Sequence, residues 1–265
     1  MAGERSRTCF WLRVSVLVSV LCVVLLWAWN DRRRRAERTR WHRNLHVALI
    51  LTTQGDVSPD AVSALSARVA DLETHLGAEM RRHRPGSELR PVVFQVFGPL
   101  QVADPAPRIA GDDLSAAASH AYASWRYFRS VDQSLDVPWR AFDARLYLGL
   151  VPPKDKQTHV EGQSEQGGWV GTVQVELDAS MVDFALFVAT HELFHVLGAS
   201  DKYDATGRAI VPDGLADPHR LPLYPQSRAE VMARNVALGR GLERPPTHLT
   251  ELCVGERTAR EIGWR

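Results

Sequence analysis

Cysteine is scarce in this chain, with three among 265 residues. Two of them, Cys9 and Cys22, fall at or inside an apolar N-terminal stretch. A disulfide framework is therefore excluded, and Cys253 reads as a small hydrophobe in a C-terminal helix rather than a nucleophile. Excess charge is also missing. The formal net charge is +1, which removes any global electrostatic argument for nucleic acid as a partner. No internal repeat is visible, and no low-complexity tract beyond one run of arginines. What the chain does have is 45% hydrophobic residues over its length, enough to bury a core in one domain with an appendage.

The appendage is N-terminal. Residues 10–29, "FWLRVSVLVSVLCVVLLWAW", carry one charge, Arg13, and their length suits a bilayer crossing. Trp11, Trp27 and Trp29 stand where interfacial aromatics belong. A cleaved signal peptide is the competing reading, but no small-x-small site follows the apolar run, and Asn30-Asp31-Arg32 is a poor place to cut. The expected organisation is a tail over 1–9, a single transmembrane anchor over 10–29, a basic juxtamembrane linker over 30–43 and a folded domain over 44–265. Arg32 to Arg35 and the arginines after them suit anionic headgroups. For orientation, the arginines after the span argue for a cytoplasmic domain, whereas the short basic N-terminus argues for export. The expectation adopted is an extracytoplasmic domain.

Within the domain, "LHVALILTT" (45–53) reads as a buried strand. Ser58-Pro59-Asp60 supplies an N-cap, a first-turn proline and an early acid. Val62, Leu65, Val69, Leu72 and Leu76 then recur at helical spacing in a helix ending near His83. Residues 91–98 read as a second strand, and Asp112-Asp113 open a second helix. Residues 144–151 read as a third strand, and residues 152–168 as a polar loop. "WVGTVQVEL" (169–177) alternates like an edge or half-exposed strand, and as an edge it could pair with an extended peptide. The run from Met181 to Gly198 is apolar nearly all round and predicts a buried helix. Strands alternating with helices imply an α+β or α/β sheet layer beneath it. His75 and His120 read as satisfied histidines, and Trp125, Tyr127 and Phe128 as core.

That buried helix carries "HELFHVLGASDKYD", residues 191–204. On a helix, i and i+4 share a face, so His191 and His195 can aim ring nitrogens at one point, with Glu192 beside them. Two imidazoles, an open coordination position and an adjacent carboxylate base are what a zinc hydrolase requires. Gly198 follows where the chain must turn, though a glycine at a helix C-terminus is ordinary. Asp201 is the leading third ligand, since a carboxylate binds zinc well. Asp204, His219 and Glu230 are the alternatives. Asp201, Asp204 and Thr206 before Gly207 do not fit calcium-loop spacing and read as a structural turn. Residues 210–226 are proline-rich and aperiodic, placed to line or cover a cleft.

His191-Glu192-x-x-His195-x-x-Gly198-x-x-Asp201 resembles the elongated motif of the metzincin peptidases, with aspartate in the last position, as in the small neutral proteases of the snapalysin type. "RAEVMARN" around Met232 is similar to the metzincin Met-turn, in which a methionine underlies the ligands. The resemblance covers residues 165–265. It implies an α+β fold with a mixed twisted sheet, two backing helices and an active-site helix, followed by a small C-terminal subdomain with a Met-turn and a closing helix. It further implies Zn2+ held by His191, His195 and Asp201, Glu192 as general base, Met232 as support, and a peptide or protein substrate. Tyr203 and Tyr224 are the candidates for an oxyanion or substrate contact. A pro-segment with a zinc-blocking cysteine is not apparent. The competing function is a catalytically silent, zinc-stabilised peptide-binding or scaffold module of the cell envelope.

Overall fold

A computed structural model describes residues 2–107, 113–153, 160–164 and 166–265. The chain divides into two compact units, Met1–Arg40 and Trp41–Arg265. The first is one helix, α1 (Ala2–Arg38). Its stretch Arg13–Arg38 contains an eighteen-residue window of mean hydropathy 1.9, so by length and composition it can cross a membrane. The helix does not stop at Trp29. It runs through the arginines, so most of the expected linker is helical, with Arg35 paired to Asp31 one turn back at 2.6 Å.

The second unit is mixed α/β. Its elements are β1 (Leu45–Thr53), α2 (Pro59–His83), β2 (Val92–Gln101), α3 (Leu114–Ser134), β3 (Ala144–Val151), β4 (Val160–Ser164), β5 (Val170–Glu176) and α4 (Val182–Val196). Short pieces follow: β6 (Ala229–Glu230), β7 (Val236–Gly239), β8 (Leu242–Arg244), β9 (Leu252–Cys253) and α5 (Glu256–Glu261). The main sheet has the order β2-β1-β3-β5-β4. Its first four strands run parallel, and β4 closes one edge antiparallel to β5.

Alternation along β1 explains the layering. Val47, Leu49 and Leu51 point into the larger core, with Leu65, Leu72 and Leu76 of α2 and Leu186, Leu193 and Phe194 of α4. Ala48 and Ile50 point the other way, towards Val131 of α3 and Tyr147 of β3. A central strand covered on both faces must be apolar at nearly every position, and "LHVALILTT" is. Thus α2 and α4 share one face of the sheet and α3 covers the other. Ser58 caps α2 through the amide of Ala61, and Asp113 caps α3 through that of Ala116 at 2.6 Å.

Several expectations are corrected here. The stretch 170–176 is half-exposed, as its alternation suggests, but it is not an edge, because β4 lies outside it. The loop assigned to 152–168 contains that fourth strand, while residues 154–159, like Asp112, fall outside the described residues. The expected closing helix is divided into a 3-10 turn (Leu249–Glu251), β9, and α5. Cys253 therefore sits in a strand paired in parallel with β6. It is buried, and burial, with the charge of Glu79 adding to it, pushes its thiol up to about 12. Trp125 is 55% exposed rather than core, whereas Tyr127 and Phe128 do pack against the smaller apolar cluster. The second compact unit starts at Trp41. Trp41 is buried, donates its indole N–H to Ile262 O at 2.6 Å, and meets Trp264 edge to face at 5.8 Å.

Candidate metal centre

α4 delivers His191, Glu192 and His195 from a helix with no polar face. Most of its residues are apolar and buried, and the two histidines are carried inward with them. The ring of His191 is buried and its Nδ1 lies 2.9 Å from Val231 O; the Nδ1 of His195 lies 3.0 Å from Ala199 O. A carbonyl can only accept, so each Nδ1 carries a proton, and in the neutral imidazole each Nε2 presents a lone pair.

Those two Nε2 atoms face each other at 3.1 Å. Asp201 Oδ1 stands 3.3 Å from the first and 3.1 Å from the second. Three acceptor atoms thus close a small triangle, an arrangement that repels itself unless a cation occupies it. Two bonds of about 2.0–2.1 Å at a tetrahedral angle subtend roughly 3.3 Å, so the triangle has the dimensions of one face of a tetrahedral metal site. These side chains can hold a metal ion. With no metal in the site the same triangle can be held by protons instead. Burial would raise the Asp201 carboxyl, but hydrogen bonds and charge from His191 and His195 in their protonated forms hold it well below the usual carboxylate range. His195 moves the opposite way: burial would lower it, and Asp201 and then Glu192 raise it. Glu192 is buried beside them.

The turn after α4 is built to bring Asp201 round. Gly198 takes φ +105, and the amides of Leu197, Gly198 and Ala199 close back on Leu193, Phe194 and His195 carbonyls. Asp201 is then clamped through its neighbours. The Ser200 amide and the Lys202 ammonium both reach Glu261 Oε2, at 3.0 and 2.7 Å, while the Lys202 amide donates to Met232 O at 2.9 Å.

Met232 lies fully buried in a 3-10 turn, Val231–Ala233, whose first carbonyl is the one that orients His191. Glu230 starts that turn, and it is not a ligand. It is buried completely, accepting from Met232 N at 2.7 Å, Thr258 Oγ1 at 2.7 Å and Gly255 N at 3.1 Å. Asp204 is spent within its own turn on Thr206 and Arg208, as the turn reading expected. His219 is exposed, with its amide on Asp217. Of the four candidates for a third ligand, Asp201 is the one brought to the histidines. Tyr203 stacks on His191, ring centroids 6.3 Å apart and 20° between planes. Tyr224 makes no hydrogen bond or ring contact with the triad among the described residues. His75 is satisfied by Leu252 O at 2.8 Å.

Sequence reasoning missed Lys202, Glu261 and Arg234. Lys202 and Glu261 are far apart in the chain and carry no spacing signal. Arg234 directly follows the Val231–Ala233 turn, its guanidinium 5.1 Å from the Tyr203 ring centre.

No family model and no curated protein matches the chain. A solved structure titled as a chaperone-substrate complex aligns over 61% of this chain and 27% of that one, at 16% identity and a TM-score of 0.28. So slight a likeness carries no weight for the chemistry.

Proposed function

We propose that this protein is a membrane-tethered zinc metallopeptidase of the metzincin type that hydrolyses peptide bonds. One observation carries the reading: both Nδ1 protons are committed to backbone carbonyls, leaving two Nε2 lone pairs and the Asp201 carboxylate converged on one point. Zinc bound by His191, His195 and Asp201 would lower the pKa of a bound water to about 7 and polarise a substrate carbonyl.

The chain's own residues supply the remainder. Glu192, next to His191 and buried, takes the proton of the attacking water and returns it to the leaving amine. Val231 O and Ala199 O hold the imidazoles in the ligating tautomer and orientation. Met232 floors the site by keeping the turn that carries Val231 packed. An extended substrate pairs with β4, the sheet edge that α4 packs against, in place of residues 169–177. The helix α1 holds the enzyme at the bilayer, with its arginines on anionic headgroups.

A mixed peptide library incubated with the full chain and with Glu192→Ala tests this, zinc being measured on both. Cuts made by the wild type alone, at equal zinc, support the peptidase. Equal zinc with no cuts by either would instead favour a zinc-stabilised scaffold.

A further inference from the structure

Arg234 leaves the Val231–Ala233 turn with φ +74 and ψ −36. A long side chain in that backbone region is uncommon, and such outliers persist where the surroundings hold them. Here the surroundings include the candidate centre. The guanidinium lies over the Tyr203 ring, and that ring stacks on His191. The Tyr203 hydroxyl is acted on by both Asp201 and Arg234.

A guanidinium has five N–H donors, and one of those on Arg234 is drawn to the Tyr203 hydroxyl. Those of Arg234 have no carboxylate within salt-bridge range among the described residues. By contrast, Arg68, Arg82, Arg145 and Arg244 are each paired with one. Arg234 is also exposed. It is therefore a cation fixed in place beside the triad and not neutralised by the protein.

We propose that Arg234 is a specificity residue whose remaining guanidinium N–H donors bind a carboxylate of the substrate close to the bond that is cut. The proposal rests on the peptidase reading. A planar fork of N–H donors matches a carboxylate with two parallel hydrogen bonds, which a neutral amide cannot reproduce. The carboxylate can be the peptide's own C-terminus or an acidic side chain.

The test is equilibrium binding by calorimetry, using the zinc-loaded full chain with Glu192→Ala to prevent turnover. One peptide pair is N-acetyl-trialanine as free acid and as amide. The other is N-acetyl-Ala-Glu-Ala-amide beside its Gln counterpart. The expected result is that the anionic member of one pair binds about tenfold more tightly or better, a preference that Arg234→Gln erases and Arg234→Lys keeps in part. The pair that discriminates identifies the source of the carboxylate. No preference in either pair, a preference that survives Arg234→Gln, or no binding by any of the four peptides would each overturn the proposal. The peptidase reading fails separately, if the chain with Glu192 intact cuts nothing while the acid preference stands.

Discussion

At Gly198 the backbone has φ +105, and an added Cβ would meet only Glu261 O, at 3.9 Å. Alanine has room there but not a comfortable conformation, so Gly198→Ala should cost about 1–2 kcal/mol. Gly255 is the reverse case. Its Cβ would come within 2.9 Å of Glu230 Cγ, on a carboxylate locked by three hydrogen bonds and unable to give way. Gly255→Ala should cost about 1–3 kcal/mol through overpacking. Thermal melts of both variants check this, since each kcal/mol is worth about 2–4 °C in a domain of this size. Arg234 offers a third comparison. If its backbone is strained by φ +74, Arg234→Gly should be more stable than Arg234→Ala by about 1 kcal/mol. Equal melting temperatures would mean the turn imposes no such strain.

The C-terminal end of α2 is tied to the short elements through Glu79, which is buried and accepts from Val254 N at 2.8 Å, Arg82 at 2.6 Å and Arg228 at 3.0 Å. Burial would raise this carboxyl, but Arg82, the Val254 amide and Arg228 hold it below its ordinary value. A carboxyl depressed on folding stabilises above its unfolded pKa, and that contribution is lost as pH falls through the depressed one. Urea melts should therefore show stability declining below about pH 4.3. Glu79→Gln should be less stable at pH 7 by about 1–3 kcal/mol and should decline less steeply in acid. A variant with the same acid slope as the wild type would remove Glu79 from the explanation.

Element by element, legibility followed burial. β1, α2, β3 and α4 were readable because continuous apolar runs or a clean helical period signal layers covered by protein. β4 was not, because "VEGQS" at an antiparallel edge has no apolar run to announce it. The closing segment misled for a different reason. "THLTELCVGERTAREIGW" has helical composition, but Leu252 and Cys253 pair with β6, and the Gly255 amide bonds Glu230. Long-range pairing overrode local propensity. The histidines, Glu192 and Asp201 were legible as a motif of fixed spacing, whereas Lys202, Glu261 and Arg234 act through tertiary contacts that no spacing encodes.

For the whole molecule, the boundary of the second unit at Trp41 has an energetic consequence. The Trp41 indole packs on Trp264, which itself meets Phe194 of α4 at 5.7 Å, so the entry of the chain is part of the same core that carries the candidate centre. Trp41→Ala should destabilise the domain by about 3–5 kcal/mol, read as a lowered melting temperature. An unchanged melt would show that the folded unit starts after it. The central claim concerns the triad, and zinc content of the purified full chain tests it most directly. The expected result is about one zinc per chain in the wild type and in Glu192→Ala, and little or none in His195→Ala. A wild type without zinc, or a His195→Ala variant that retains as much as the wild type, would contradict the assignment of the metal to His191, His195 and Asp201.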